Sequence, residues 1–143
     1  MRVVIDTNVW VSGLLWKGRP WELLRLAEAG EMELCIAPAM IEELAQVLAY
    51  EKLQPRLGQL NLSPADLLAY AIDLASVFQV PEMEAAIVQA DPEDDVFLLC
   101  AVVAGAAYVV SGDHHLLDLE EYADIPILTV DDFLDREFPQ EAE

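Results

Sequence analysis

Two aspartates occupy positions at which carboxylates commonly do chemistry in α/β proteins. Asp6 directly follows the apolar run 2–5, and Asp113 follows the run 108–111 after a single glycine. Both runs are typical of short buried strands, and the functional crevice of a parallel sheet lies beyond the carboxyl ends of its strands. A single aspartate after a strand is most often a helix cap. Two of them at one sheet edge favour a shared site.

A third acid, Glu43, lies on a helix predicted for residues 38–50. At about 100° per residue, Glu43 lies only about 40° from Val47, at the border of the apolar stripe, whereas Glu42 and Gln46 lie on the solvent side. A border acid can point along the sheet edge toward the crevice. It can equally be a solvated helix charge. The stripe consists of Met40, Ile41, Leu44, Val47 and Leu48.

A group of acids precedes the most apolar helix predicted for the chain. Asp91 is the expected cap and Pro92 the first helical residue, and the helix continues through residues 96–104. This segment is apolar on every side, so we expect burial all round. Asp91 and Asp95 are four residues apart and share a face, with Asp94 beside them. The helix dipole favours acids at the start of a helix, but three acids within five positions are more than capping requires.

Carboxylates gathered at one edge need a cation. Two like charges 4 Å apart repel by about 4 kcal/mol at an effective dielectric constant of 20. Oxygen ligands suit Mg²⁺ or Mn²⁺ rather than zinc, and such a site can activate water for an in-line phosphoryl displacement. His114 and His115 follow Asp113 in what we expect to be an exposed loop. The pair is more simply incidental, although either could contact a substrate phosphate.

Strands and helices alternate along the sequence. This order predicts an α/β fold, a three-layer α/β/α sandwich whose central, mostly parallel sheet has five strands. With no repeat or long linker, we expect one domain over residues 1–138 and a polar tail over 139–143. The predicted strands cover 2–5, 33–37, 77–80, 108–111 and 127–130; the other predicted helices cover 20–29 and 63–76, and a last short one opens at Asp131.

The composition of the 143 residues limits the class of protein. It is 55% hydrophobic and 24% charged, which excludes a disordered chain. No apolar run reaches the roughly 20 residues of a membrane span, and charge appears too early for a signal peptide. We therefore expect a cytoplasmic protein without a membrane partner. Cys35 and Cys100 lie in apolar runs and are expected to be buried free thiols.

The formal net charge is −20, of which residues 82–143 carry −16. Such a surface repels nucleic acid unless cations or a basic partner intervene. If nucleic acid binds, most phosphate contacts must come from the stretch 17–56, which holds five of the seven basic residues, with Lys17 and Arg19 as candidates. Alternatively, the acidic surface faces a basic partner or only solubilises the protein.

Four segments together resemble a PIN domain, most closely the VapC-like toxins of toxin–antitoxin pairs. They are Val4-Ile-Asp6-Thr-Asn8-Val, Glu43 within Ile-Glu-Glu-Leu, Asp91-Pro-Glu-Asp-Asp95-Val-Phe-Leu, and Tyr108-Val-Val-Ser-Gly-Asp113-His-His-Leu-Leu. The match runs in order along nearly the whole chain, although the opening motif alone is weak.

The resemblance implies cleavage of single-stranded RNA by a homo-oligomer, a dimer or a multiple of it, with a cognate antitoxin as partner. It implies that Mg²⁺ or Mn²⁺ is bound by a catalytic quartet, with support from Asn8 and Ser111 through hydrogen bonds. Asp91 and Asp94 are less certain neighbours of the ion. The quartet carried over is Asp6, Glu43, Asp95 and Asp113.

Three other readings stay open. A phosphatase of the haloacid dehalogenase type would use Asp6 as nucleophile and Gly112-Asp113 with Asp118, but Asn8 stands where a second acid is needed. The phosphatase would also need a lysine later in the chain, and no lysine follows Lys52. A non-catalytic Mg²⁺-binding domain of the response-regulator receiver type meets the same objection. A regulatory binding protein with the PIN fold and little activity is the third reading. RNA cleavage, phosphate-ester turnover or neither would separate them.

Overall fold

A computed structural model describes residues 1–80 and 95–140 of the chain. Within these residues, one sheet has the strand order β3-β2-β1-β4-β6-β5, and helices flank it. The strands are β1 (Arg2–Ile5), β2 (Glu33–Ile36), β3 (Ser76–Val77), β4 (Tyr108–Val110), β5 (Glu121–Tyr122) and β6 (Ile125–Leu128). The predicted α/β class and mostly parallel sheet are therefore confirmed.

Eight α-helices lie in the described part of the chain. They are α1 (Thr7–Leu15), α2 (Arg19–Glu28), α3 (Pro38–Leu48), α4 (Gln54–Leu60), α5 (Pro64–Leu74), α6 (Asp95–Ala104), α7 (His114–Leu117) and α8 (Val130–Glu137). A short 3-10 helix, Glu51–Leu53, joins α3 to α4. Helices α1, α4 and α7 were not predicted from the sequence.

The sheet has one strand more than the five predicted. Strands β3, β2, β1, β4 and β6 pair in parallel, and the additional strand β5 pairs antiparallel with β6 at the edge. Strand β3 also begins one residue before the predicted segment 77–80 and has only two residues. The Phe78 N–H still donates to the Ile36 carbonyl at 2.8 Å, so bonding to β2 extends slightly beyond the strand.

Helix α6 crosses the sheet and contacts β1, β2 and β4. The prediction that it is buried on all sides is wrong, because Val102 and Val103 are 45% and 44% exposed. Its inner face packs on the sheet and on α3, which leaves those two valines on the outer side. Its predicted beginning at residues 91–94 lies outside the described residues.

The central strands form the middle of the hydrophobic core. Val3, Val4 and Ile5 of β1 are fully buried. The expected burial of both cysteines is confirmed: Cys35 and Cys100 are buried free thiols, and burial raises their pKa values to about 11 and about 12. Among the described residues, no helix is long and apolar enough to span a membrane.

Candidate active site

The Asp6 side chain lies at the carboxyl end of β1 and caps helix α1. It is only 4% exposed, and its Oδ1 accepts a hydrogen bond from the Val9 N–H at 2.9 Å. An aspartate in this position satisfies one of the free backbone donors at the helix start. Asp6 is therefore a helix cap, as a single aspartate after a strand often is, but capping involves only one of its two carboxylate oxygens.

Ser111 engages the other oxygen and connects Asp6 with Asp113. Its hydroxyl donates a short hydrogen bond to Asp6 Oδ2, and Ser111 is fully buried. The same hydroxyl oxygen accepts from the Asp113 N–H at 2.9 Å. Since β1 and β4 are paired neighbours, a single serine after β4 reaches both the aspartate after β1 and the backbone of Asp113.

The charge on Asp6 is destabilised by its surroundings. Burial raises the pKa of Asp6 most strongly, and the negative charge of Asp113 raises it further. Hydrogen bonds from Ser111, Val9 and Gly112 act in the opposite direction but do not cancel the effect of burial. A buried carboxylate beside a second one is the kind of group that a divalent cation would stabilise.

Asp95 is the first described residue of α6 and is only 7% exposed. The opposite end of α6 lies near the beginning of β1, because Arg2 Nη1 donates to the Ala104 carbonyl at 2.8 Å. A helix of ten residues is about 15 Å long and a strand of four about 13 Å. A helix of this length that runs back along β1 would begin level with the carboxyl end of that strand.

Glu43 is half-buried on α3, which contacts both α1 and α6. The predicted faces of α3 are confirmed: Met40, Leu44 and Leu48 are buried, whereas Glu42 and Gln46 are exposed. Glu43 thus lies at the border of the buried stripe. Its helix contacts α1, which Asp6 caps, and α6, whose first described residue is Asp95. The other two predicted cofactor contacts, Asp91 and Asp94, lie outside the described residues.

The two histidines after Asp113 open helix α7 rather than lying in a loop as predicted. Asp113 caps this helix and accepts from the His115 N–H at 2.8 Å. The potential ligand atoms of Asp113, His114 and His115 all lie within 4.8 Å of one another. The sequence shows the three residues side by side, but only the tight turn at the helix start makes their side chains converge.

A cavity of about 420 Å³ opens next to Ser111. Asn8 and Ser12 line it from successive turns of α1, and Arg19 lines it from the beginning of α2. Ser12 and Thr129, which also line it, were missed from the sequence. The spacing of Asn8 and Ser12 by four residues would have revealed Ser12, had α1 been predicted.

The two basic residues proposed to contact substrate differ in their surroundings. Arg19 binds Asp135 at 2.9 Å and Asp131 at 3.3 Å, and both acids belong to α8. Lys17 is exposed, and its Nζ lies 5.9 Å from the centre of the Trp21 ring. Part of the Arg19 charge is therefore already balanced by acids of this chain.

The chain is similar to known proteins in sequence and in fold. The sequence profile of the PIN domain matches residues 2–115, most of the chain. The chain belongs to the PIN-domain family. No curated protein matches its sequence significantly. The fold is similar to that of a chain of VapBC2 from Rickettsia felis, solved bound to a DNA fragment from the promoter. The two share 11% identity with a TM-score of 0.56 over 89% of this chain and 97% of that one.

Proposed function

We propose that this PIN domain is a metal-dependent endoribonuclease and the toxin of a toxin–antitoxin pair. The observation that carries the proposal is the pair Asp6 and Asp113, connected through buried Ser111 at the carboxyl edge of the sheet. PIN domains are generally nucleases, and the fold shared with a chain of VapBC2 supports the toxin assignment.

The residues present suit a hard divalent cation. Asp6 offers a carboxylate whose charge is destabilised by burial and by Asp113, and a cation would offset both effects. Asp95 adds a second buried acid, and Glu43 a half-buried one. Ligands of this kind favour Mg²⁺ or Mn²⁺. The proposed ligands, which also form the catalytic set, are Asp6, Glu43, Asp95 and Asp113.

The chain's own residues would orient the reaction. When bound, Mg²⁺ or Mn²⁺ supplies an acidified water molecule and stabilises charge on the phosphoryl oxygens. Ser111 fixes the Asp6 carboxylate through its hydroxyl, and the Val9 N–H fixes the other oxygen. Asn8 lines the adjacent cavity and would contact water or substrate there. Asp91 and Asp94 remain predicted contributors.

The cavity beside Ser111 would hold the nucleotide next to the cleaved bond. Its volume of about 420 Å³ lies in the range of small-molecule sites. Arg19, which lines the cavity, would contact a phosphate at its rim, and the exposed Lys17 would contact a neighbouring phosphate. For Arg19 this requires a phosphate to compete with Asp131 and Asp135, whose side chains are 72% and 70% exposed. Exposed ion pairs are weak, so a phosphate can replace them.

The proposed partner is a basic segment of an antitoxin. Residues 82–143 carry a net charge of −16, which favours a cationic partner and disfavours unassisted approach of RNA. The VapBC2 structure is of a complex bound to promoter DNA. We propose that this chain likewise binds an antitoxin. We also propose that it forms a homo-oligomer, either a dimer or a multiple of a dimer.

One experiment separates this function from its rivals. Purified protein is incubated with a single-stranded RNA and, separately, with a small aryl phosphate, each with Mg²⁺, Mn²⁺ or EDTA. We expect metal-dependent cleavage of RNA and no turnover of the ester. Ester turnover without RNA cleavage would identify a phosphatase. Neither activity would leave a binding protein of PIN fold and contradict the proposal.

The rim residues can be tested by RNA binding at several salt concentrations. Lys17→Ala and Arg19→Ala should each weaken binding across RNA sequences and reduce the salt slope by about one. Lys52→Ala is the control, because Lys52 is exposed, lies beside Tyr50 and does not line the cavity. An equal effect of all three changes would show a diffuse charge effect rather than contacts at the rim.

A further inference from the structure

Asp113, His114 and His115 form a donor set different from the buried acids. All three side chains reach a common region, with ligand atoms no more than 4.8 Å apart. The two imidazole rings lie against each other, with centroids 4.1 Å apart and planes tilted by 41°. His114 is exposed and His115 half-buried, so solvent has access to the cluster.

Two imidazoles and a carboxylate suit a transition-metal ion better than Mg²⁺. Imidazole nitrogen binds Zn²⁺, Co²⁺, Ni²⁺ and Cu²⁺ well, whereas Mg²⁺ prefers oxygen. Ligand atoms about 2.0–2.2 Å from one ion lie at most about 4.4 Å from each other. The ligand atoms of the cluster, all within 4.8 Å of one another, therefore need to close by no more than a few tenths of an ångström to share one ion.

We propose that Asp113, His114 and His115 form a second cation site, selective for transition-metal ions, beside the carboxylates around Asp6. Three protein ligands leave a coordination position for water or a phosphate oxygen, as in open metal sites. Asp113 would belong to both sites, an arrangement that resembles two-metal centres with a shared carboxylate. Binding of a metal ion to these three residues does not require the Asp6 carboxylate, and it does not depend on whether the protein cleaves RNA.

The composition of the chain makes this site directly observable. His114 and His115 are the only two histidines in the sequence, so every imidazole signal comes from the cluster. Both cysteines are buried with raised thiol pKa values, which disfavours thiolate competition for the ion. A metal ion held by carboxylates far from the cluster coordinates no imidazole nitrogen.

The test is an NMR titration of imidazole ¹⁵N resonances in the full chain with Zn²⁺ and then with Mg²⁺. One equivalent of Zn²⁺ should shift the resonances of both histidines strongly, as direct coordination of nitrogen does, whereas Mg²⁺ held by Asp113 at the same concentration should shift them only slightly. Sedimentation should show no Zn²⁺-induced association. A shift of only one imidazole, or a shift that depends on association between chains, would overturn the proposal.

Variants then assign the ligands by calorimetric Zn²⁺ affinity. His114→Gln with His115→Gln removes two ligands and should weaken binding by more than about 100-fold, since loss of even outer contacts costs about 10- to 100-fold. Asp113→Asn should weaken it by at least about tenfold. The exposed control Asp118→Asn should stay within about threefold of wild type. Wild-type affinity in the double histidine or Asp113 variant would contradict the site, whatever the nuclease assay shows.

Discussion

The Asp6 carboxylate combines two properties that oppose each other. It is a good helix cap, with hydrogen bonds from Val9 and Ser111, yet burial raises its pKa. A carboxyl group whose pKa is higher in the folded state than in the unfolded chain binds protons more tightly when folded. Its ionisation therefore lowers the free energy of unfolding as pH rises above the unfolded value of about 3.9. An ionised Asp6 therefore destabilises the metal-free fold, and a bound cation would offset this cost.

Asp6→Asn should therefore raise the melting temperature of the metal-free protein at pH 7. Asparagine is also a good cap and carries no charge to desolvate. The advantage over wild type should shrink as pH falls and vanish near pH 3, where Asp6 is protonated in both states. Melting in EDTA followed by circular dichroism measures it. Asp73→Asn, exposed on α5, is the control. A constant difference between Asp6→Asn and wild type at all pH values would show that ionisation of Asp6 has no part in it.

Helix α1 positions Asp6 and Asn8, and it packs closely against α2 through Gly13. A Cβ atom at Gly13 would lie 2.7 Å from Leu24 Cδ1 and 2.9 Å from the Pro20 carbonyl oxygen. The glycine therefore allows close approach of the two helices. It also lowers the helix propensity of the segment, which helps explain why α1 could not be predicted from local sequence.

Gly13→Ala should lower the free energy of unfolding by about 1–3 kcal/mol, the usual effect of overpacking. Gly58→Ala is the matched control, because nothing lies within 4 Å of the added Cβ on α4. In a helix interior that change should stabilise by about 0.4–1 kcal/mol. Urea denaturation of both variants gives the comparison. Equal stability of the two variants would refute close helix packing at Gly13.

The sequence predicts the elements that have strong local signals and misses those that depend on tertiary contacts. Ser63 forms the expected capping box with Asp66, and the apolar strands β1, β2 and β4 lie close to their predicted positions. Strand β5 has only two residues and exists through pairing with β6, so no periodicity could indicate it. The exposure of Val102 and Val103 likewise depends on which side of α6 faces the sheet.

For the candidate site, the sequence places Asp6 and Asp113 after neighbouring strands, and the structure shows how Ser111 connects them. The convergence of His114 and His115 with Asp113 depends on α7, a helix of four residues. So short a helix has no recognisable period. The roles of Glu43 and Asp95 stay predictions that need measurement.

The whole molecule carries a net charge of −20, so its folded state is destabilised by self-repulsion. Bound Mg²⁺ or Mn²⁺ would relieve this locally at the carboxyl edge of the sheet. At about 100 times its dissociation constant, the ion should add roughly 2.7 kcal/mol to the free energy of unfolding if only the native state binds it.

Asp95→Asn should shrink this metal-induced increment, because it removes one of the two buried acids assigned to the ion. Melting temperatures with and without Mg²⁺ are compared at equal ionic strength, since screening alone stabilises so acidic a chain. Asp73→Asn should retain the wild-type increment. Identical increments in wild type and Asp95→Asn would remove Asp95 from the proposed site.

Cleavage of single-stranded RNA by wild type, Asp6→Asn and Asp95→Asn at saturating Mg²⁺ or Mn²⁺ tests the central proposal most directly. Both substitutions nearly preserve side-chain volume and remove a charge assigned to the cation, so both variants should remain folded by circular dichroism. We expect metal-dependent cleavage by wild type, and a loss of at least about 100-fold in each variant, comparable with removal of a major electrostatic contact to the transition state. A folded Asp6→Asn protein that cleaves RNA at the wild-type rate would contradict the proposed mechanism.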